Sequence, residues 1–177
     1  MKKKQALIFG FGQQEEAVCQ ILLAHGVAPR VVSPEEVEEK IGALCGLPGY
    51  KSHPRGEQVP AGSRALMVFD NLEQEELDRV LKAMKDIPVR SVKAMVTPTN
   101  RNWTLLSLLK AVQEEQQVMG ALIKLQQLRA QVPMPDPRNI PLMKAWVQAG
   151  ALLSGQQEVT LQQVHAVRDA LVKAAGL

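Results

Sequence analysis

The chain has 177 residues, of which 46% are hydrophobic, 22% charged and only six aromatic: Phe9, Phe11, Phe69, Tyr50, Trp103 and Trp146. This is an ordinary globular composition for one domain with an appendage, and so few rings argue against a surface that stacks bases or sugars. Lys and Arg number 7, 8 and 6 in residues 1–62, 63–118 and 119–177 against 7, 8 and 3 acids, so the whole +3 excess lies in the last third. Those cations (Lys124, Arg129, Arg138, Lys144, Arg168, Lys173) are scattered, and without a basic stripe no nucleic-acid partner is expected.

Met1-Lys2-Lys3-Lys4 has the basic character of a signal peptide, but Gln13, Gln14, Glu15 and Glu16 interrupt the apolar stretch that follows. No apolar run reaches the roughly 18 residues of a membrane span. Cys19 and Cys45 form no pairing motif and are expected as reduced thiols in a cytoplasmic protein, with no membrane partner.

Ala6 to Phe11 reads as a buried strand. Glu15 to Ala24 reads as a helix with Val18, Ile21, Leu22 and His25 on one face, closed by Gly26. Val31 and Val32 make a short second strand. Ser33 is the expected N-cap of a second helix, with Pro34 at its first position and Val37, Ile41 and Leu44 inward. Residues 46–63 hold four glycines, three prolines, the only tyrosine and His53, the composition of a long loop that either connects or carries function. Ala65 to Phe69 is a third strand, and Asn71 with Gln74 is the expected capping box of a helix presenting Leu77, Val80, Leu81 and Met84. Val92 to Val96 is a fourth strand. The polar turn Thr97 to Asn102 then leads into a long helix from Trp103, with Leu105, Leu108, Leu109 and Val112 inward.

A shift of sixty residues lays Phe9 on Phe69, Gln14-Glu15-Glu16 on Gln74-Glu75-Glu76, and Ile21 on Leu81. Two β-α-β-α halves follow, and with them a pseudo-twofold α/β body with a small, mainly parallel sheet of about four strands in two or three layers. A ferredoxin-like α+β sheet is the alternative. Helical periodicity continues to about Val132, the prolines 133, 135, 137 and 141 force an extended turn, and Leu142 to Leu153 and Leu161 to Ala175 read as two further helices, the last capped by Thr160 and Gln163. The expected division is an α/β domain over 1–117, with halves 5–47 and 65–117, and an all-helical extension over 118–177.

Val68-Phe69-Asp70-Asn71-Leu72, Glu75-Glu76-Leu77 and the run from Lys93-Ala94 through Thr97-Pro98-Thr99-Asn100-Arg101-Asn102-Trp103-Thr104 carry a resemblance. Over residues 5–117 the chain resembles a bacterial domain-of-unknown-function family whose members carry a strand ending in a "KAxxTPTNxxW" turn. The stretch Glu36-Val37 to Gly49 is similar to the region preceding that domain in longer members. The resemblance implies no activity, cofactor or catalytic residue.

Gly10-Phe11-Gly12 between a strand and a helix invites comparison with a dinucleotide fingerprint. Glu15 stands where the third glycine belongs, and no acid ends the second strand, so a tight turn is expected. The turn Thr97 to Trp103 is the strongest candidate site. At the carboxyl end of a strand and before a helix whose first NH groups attract anions, Thr97, Thr99, Asn100, Arg101 and Asn102 offer hydrogen bonds and a cation to a phosphate or carboxylate. The competing reading is structural: Pro98 stops the strand, Asn100 or Asn102 caps the helix, and Trp103 packs as a staple. Asp70 and Lys93 belong to the candidate set because a strand-end aspartate near a strand-end threonine and a lysine resembles a phosphoacceptor site, although Gly10 and Gly12 stand where its acidic pair would be. A local Asx turn with Asn71 is the alternative for Asp70. His25, His53 and His165 form no zinc-ligand spacing with the cysteines, and no nucleophile elbow occurs. No metal or cofactor is expected, and catalytic residues are unknown. The expected function is a non-catalytic interaction or regulatory module whose C-terminal helices self-associate or dock to a protein partner. A ligand-binding enzyme built on the Thr97 turn is the alternative.

Overall fold

The computed structural model describes residues 3–52, 64–89, 91–155 and 158–177, so His53 and most of the 46–63 loop lie outside the described residues. The chain forms two compact units, Met1–Val112 and Gln113–Leu177.

The first unit repeats one order of elements. Strand Gln5–Phe9 (β1), helix Glu15–Ala24 (α1), strand Ala28–Val31 (β2), a 3-10 turn at Pro34–Glu36 and the single-turn helix Ile41–Leu44 (α2) are followed by their counterparts. These are strand Ala65–Asp70 (β3), helix Gln74–Ala83 (α3), strand Ser91–Met95 (β4), a 3-10 turn at Asn100–Asn102 and helix Leu105–Gln131 (α4), which runs on into the second unit.

The sheet order is β2-β1-β3-β4. β1 and β2 are parallel, as are β3 and β4, while β1 and β3 run antiparallel with Gln5 opposite Asp70 and Phe9 opposite Leu66. The sheet is therefore mixed, two parallel β-α-β units joined back to back, and the pseudo-twofold axis passes where Leu7 and Ile8 face Val68 and Met67. Each strand alternates between two cores, because successive side chains point to opposite faces. Ala6, Ile8, Met67 and Phe69 pack under α1 and α3 with Val18, Leu22 and Val80. Leu7, Phe9, Leu66 and Val68 pack under α2 and the start of α4 with Val37, Ile41, Leu105 and Leu109. The result is three layers, helices on both faces of a sheet buried on both sides.

On the second face the two halves meet at Lys40 and Thr104, which form an isolated antiparallel bridge. Ile41 N donates to Trp103 O at 2.9 Å and, reciprocally, Leu105 N donates to Glu39 O at 3.1 Å. These bonds are twofold mates. They also explain why the expected second helix is broken: Lys40 is extended (ψ 138°) to make the bridge, leaving a 3-10 turn before it and one helical turn after it. Val37, Ile41 and Leu44 are nevertheless all buried, and the Ser33–Glu36 capping box is formed in both directions.

Two local expectations are corrected. α3 is capped by Glu73 with Glu76, not by Asn71 with Gln74; Asn71 takes a left-handed turn (φ 60°) that the strand needs to reverse toward the helix. The second strand begins three residues before the expected Val31, at Ala28, and ends at Val31, with Val32 N bonded to Ile8 O just beyond it.

The second unit contains the remainder of α4, helix Ile140–Leu153 (α5) and helix Leu161–Ala175 (α6). Asn139 caps α5 with Pro141 in its first turn, and Thr160 with Gln163 caps α6 in both directions. Leu125, Val132, Ala145, Ala149, Val164 and Leu171 form its core. The Arg129 guanidinium lies 3.8 Å from the centroid of the Trp146 ring and its Nε donates to Trp146 O at 3.3 Å, so the pair clips α4 to α5.

Candidate functional site

The turn after β4 is built by Asn100. Its Oδ1 accepts from Thr97 N at 2.7 Å, its Nδ2 donates to Met95 O at 2.8 Å, and its own N donates to Thr97 Oγ1 at 3.1 Å. Thr97 and Asn100 thus spend their polar atoms on each other and on the strand end. Arg101 N, Asn102 N and Trp103 N donate to Thr97 O, Thr99 O and Asn100 O. Neither asparagine caps α4. That role falls to Thr104, whose Oγ1 accepts from Ser107 N at 3.1 Å. Leu105 N and Leu106 N donate to Glu39 O and Val37 O, and Leu108 N donates to Thr104 O. The first four NH groups of α4, the donors on which anion capture at this turn would rest, are all taken by the chain itself. Trp103 is 40% exposed and joins no core cluster, so it is not a staple; Thr97, Thr99, Arg101 and Asn102 are exposed.

A cleft of about 880 Å³ lies beside this turn, walled by Glu38, Glu39, Lys40, Tyr50, Asn102 and Thr104. Its geometry depends on Gly42, the second residue of α2. A Cβ there would lie 2.7 Å from Tyr50 Cε1, so the ring is seated directly on the glycine backbone. From this seat Tyr50 Oη donates to Asn102 Oδ1 at 2.6 Å, tying the long loop to the turn. Glu39 is 3% exposed, and its Oε1 accepts from Ser52 Oγ at 3.1 Å. The sequence marked Tyr50 as the only tyrosine of a long loop; Gly42 and Glu39 carried no signal, because each acquires its role from a residue on another element.

Asp70 and Lys93 do not join the turn. β3 and β4 are parallel, so Asp70 ends its strand at the same sheet edge as Thr97, but its Oδ2 accepts from Gln5 Nε2 at 3.0 Å, across β1. The same amide donates to Cys45 O at 2.7 Å, and Arg30 donates to Leu44 O and to Glu36 Oε1 at 3.0 Å. Asp70 therefore belongs to a network that fastens the C-terminus of α2 to the sheet, in place of the Asx turn expected with Asn71. Burial, reinforced by the Asp70 carboxylate, pushes the Cys45 thiol up to about 12, which leaves it a buried thiol and not a nucleophile. Lys93 sits mid-strand opposite Met67, on the α1/α3 face, with Nζ donating to Ser91 O at 3.3 Å. The phosphoacceptor comparison fails for a further topological reason. Because β1 is antiparallel to β3, Gly10 and Gly12 lie at the opposite sheet edge from Asp70, beside Ala65.

Gly10 and Gly12 are both left-handed (φ 76° and 53°), and the turn they make points Phe11 into the core at 5% exposure. His25 is exposed at the end of α1 and His165 is exposed on α6. Among the described residues no three His, Cys, Asp or Glu side chains are grouped to hold a metal, and no helix is long and apolar enough to cross a membrane.

The first unit is thus a three-layer α/β domain made of two β-α-β-α halves, followed by a helical region. Residues 65–119, which span the second half and the first turns of α4, match the family described as Domain of unknown function (DUF3783). No curated protein and no solved structure matches the chain.

Proposed function

We propose that the protein is a non-catalytic cytoplasmic interaction module that docks through its C-terminal helices, with a second copy of the chain as its first partner. The observation that carries this reading is where large apolar side chains are left in water. Among the described residues, Met119 (53%), Ile123, Met134, Ile140 (72%), Val147 and Leu177 are exposed in the helical unit, against Leu23, Val31 and Trp103 in the α/β unit. Met119 and Ile123 lie one turn apart on α4, and Ile140 and Val147 two turns apart on α5. Over its fourteen residues α5 carries a single charge, Lys144. A helix this apolar on its outer face is normally covered, and interface centres are depleted of charge; the one cation of α5, Lys144, stands one turn from both Ile140 and Val147 on that face. Cys19 and Cys45 are both free thiols, in keeping with a reducing compartment.

Light scattering of the full chain across a concentration series tests the reading. The expected result is a mass that rises with concentration in the wild type and stays at one chain in an Ile140→Glu, Val147→Glu double variant of unchanged helix content. A wild type that remains monomeric at its highest soluble concentration refutes self-association. The second reading, a small-ligand site at the Thr97–Trp103 turn, draws its support from the cleft beside Asn102. Its test is stabilisation by phosphates or carboxylates in a thermal-shift panel, lost in Arg101→Ala.

A further inference from the structure

The two halves of the first unit differ most where helix returns to strand. Between α1 and β2 the link is residues 25–27, three in number; between α3 and β4 it is residues 84–90, seven in number. In the first half Val27 is buried, 1% exposed, with its N bonded to Leu22 O at 2.9 Å and Ala28 N bonded to Lys4 O. In the second half the backbone bonds of the described link residues stay local, Lys85 N to Lys82 O, Ile87 N to Met84 O and Val89 N to Ile87 O. Beside this longer link a cavity of about 370 Å³ lies between α1, α3 and the start of β4. Its floor is apolar: Phe11, delivered by the Gly10–Gly12 turn, with Val18, Leu81, Met84, Ile87 and Val89. Its charged lining, among the described residues, is Lys85 and Lys93, with no acid.

We propose that this cavity binds a small monoanion with an apolar body, an alkyl or aryl carboxylate, whose tail occupies the floor and whose carboxylate is held by Lys85 and Lys93. The volume is at the small end of the range for ligand sites, roughly 300–1,000 Å³. A neutral apolar ligand would gain nothing from the two solvent-exposed ammonium groups, and a polyanion would find no room for its hydration on an apolar floor. A carboxylate on an alkyl or aryl tail satisfies both surfaces, with charge-assisted hydrogen bonds at the rim. The two halves differ at this place, since the shorter link of the first half buries its own Val27 at 1% exposure.

Isothermal titration of the full chain with octanoate, acetate and octan-1-ol tests it. Octanoate is expected to bind saturably at one per chain, octan-1-ol about tenfold more weakly, and acetate not at all. The Lys85→Gln, Lys93→Gln double variant, altered only on the surface, should weaken octanoate about tenfold and leave octan-1-ol unchanged. Val89→Trp should fill the cavity and abolish both. Octanoate binding no tighter than acetate, or unchanged in the lysine variant, or unchanged in a folded Val89→Trp protein, overturns the assignment. If Val89→Trp does not fold, the lysine variant with its alcohol control decides alone.

Discussion

Replacing Gly42 by alanine is the most direct probe of how the cleft is built. The added Cβ would lie 2.7–2.8 Å from three carbons of the Tyr50 ring, well inside ordinary contact, so the ring must leave its seat. Forcing one methyl into a closed contact costs about 1–3 kcal/mol. The Tyr50–Asn102 hydrogen bond lost with it is solvent-exposed and adds little, because water replaces it. Against this, alanine gains at most about 1 kcal/mol of helix propensity over glycine, and less in a helix of one turn. The expected net effect is a destabilisation of about 1–2 kcal/mol. The Tyr50→Ala background removes the obstacle, so there Gly42→Ala should be neutral or mildly stabilising, giving a coupling energy of about 2 kcal/mol in the double-mutant cycle. Urea unfolding followed by Trp103 fluorescence in a Trp146→Phe background reads this for the first unit. An equal effect of Gly42→Ala with and without the Tyr50 ring would refute the seating argument.

Cys45, with its thiol raised to about 12 by burial, carries only about one part in ten thousand thiolate at pH 8; in native protein iodoacetamide should label Cys19 first and Cys45 only on unfolding, as read by peptide mass spectrometry. The Glu36 carboxyl is held below its ordinary value first by the Ser33 NH, against the cost of burial, and then by Arg30. A depressed carboxyl contributes its stability above the unfolded value and loses it as pH falls through the folded one. Glu36→Gln should therefore be less stable than wild type in urea at neutral pH, and the gap should close at pH values below the carboxylate range; a gap independent of pH would contradict the assignment. Thr104→Ala removes the cap of α4 and should cost about 1 kcal/mol, whereas Asn102→Ala should cost less because Asn102 caps nothing. Equal losses in the two variants would return the cap to the asparagine.

The legibility of this fold tracks the distance over which each feature is decided. The Ser33 N-cap, the Thr160–Gln163 box, the α6 span and the alternation of strand and helix depend on residues within one turn of each other, and they are readable for that reason. The caps of α3 and α4 differ from the expected ones where several polar residues stand in line. Asn71 was drawn into a left-handed reversal and Asn100 into the Thr97 turn, which left Glu73 and Thr104 to do the capping. The candidate site fared likewise. Thr97 through Trp103 is one turn as expected, but Lys93 faces the opposite side of the sheet and Asp70 is turned toward Gln5.

The residue order by itself determined that this chain alternates strand and helix twice at a sixty-residue spacing and then becomes helical, because periodicity and caps are properties of short segments. Only the tertiary structure decided that the two halves meet antiparallel through β1 and β3, because strand direction depends on which edges find each other across a long separation in sequence. The same pairing brings Lys40 to Thr104 and separates Gly10 from Asp70. With it were decided Tyr50 on Gly42 and the cavity over Phe11, each a contact between residues whose roles no local pattern encodes.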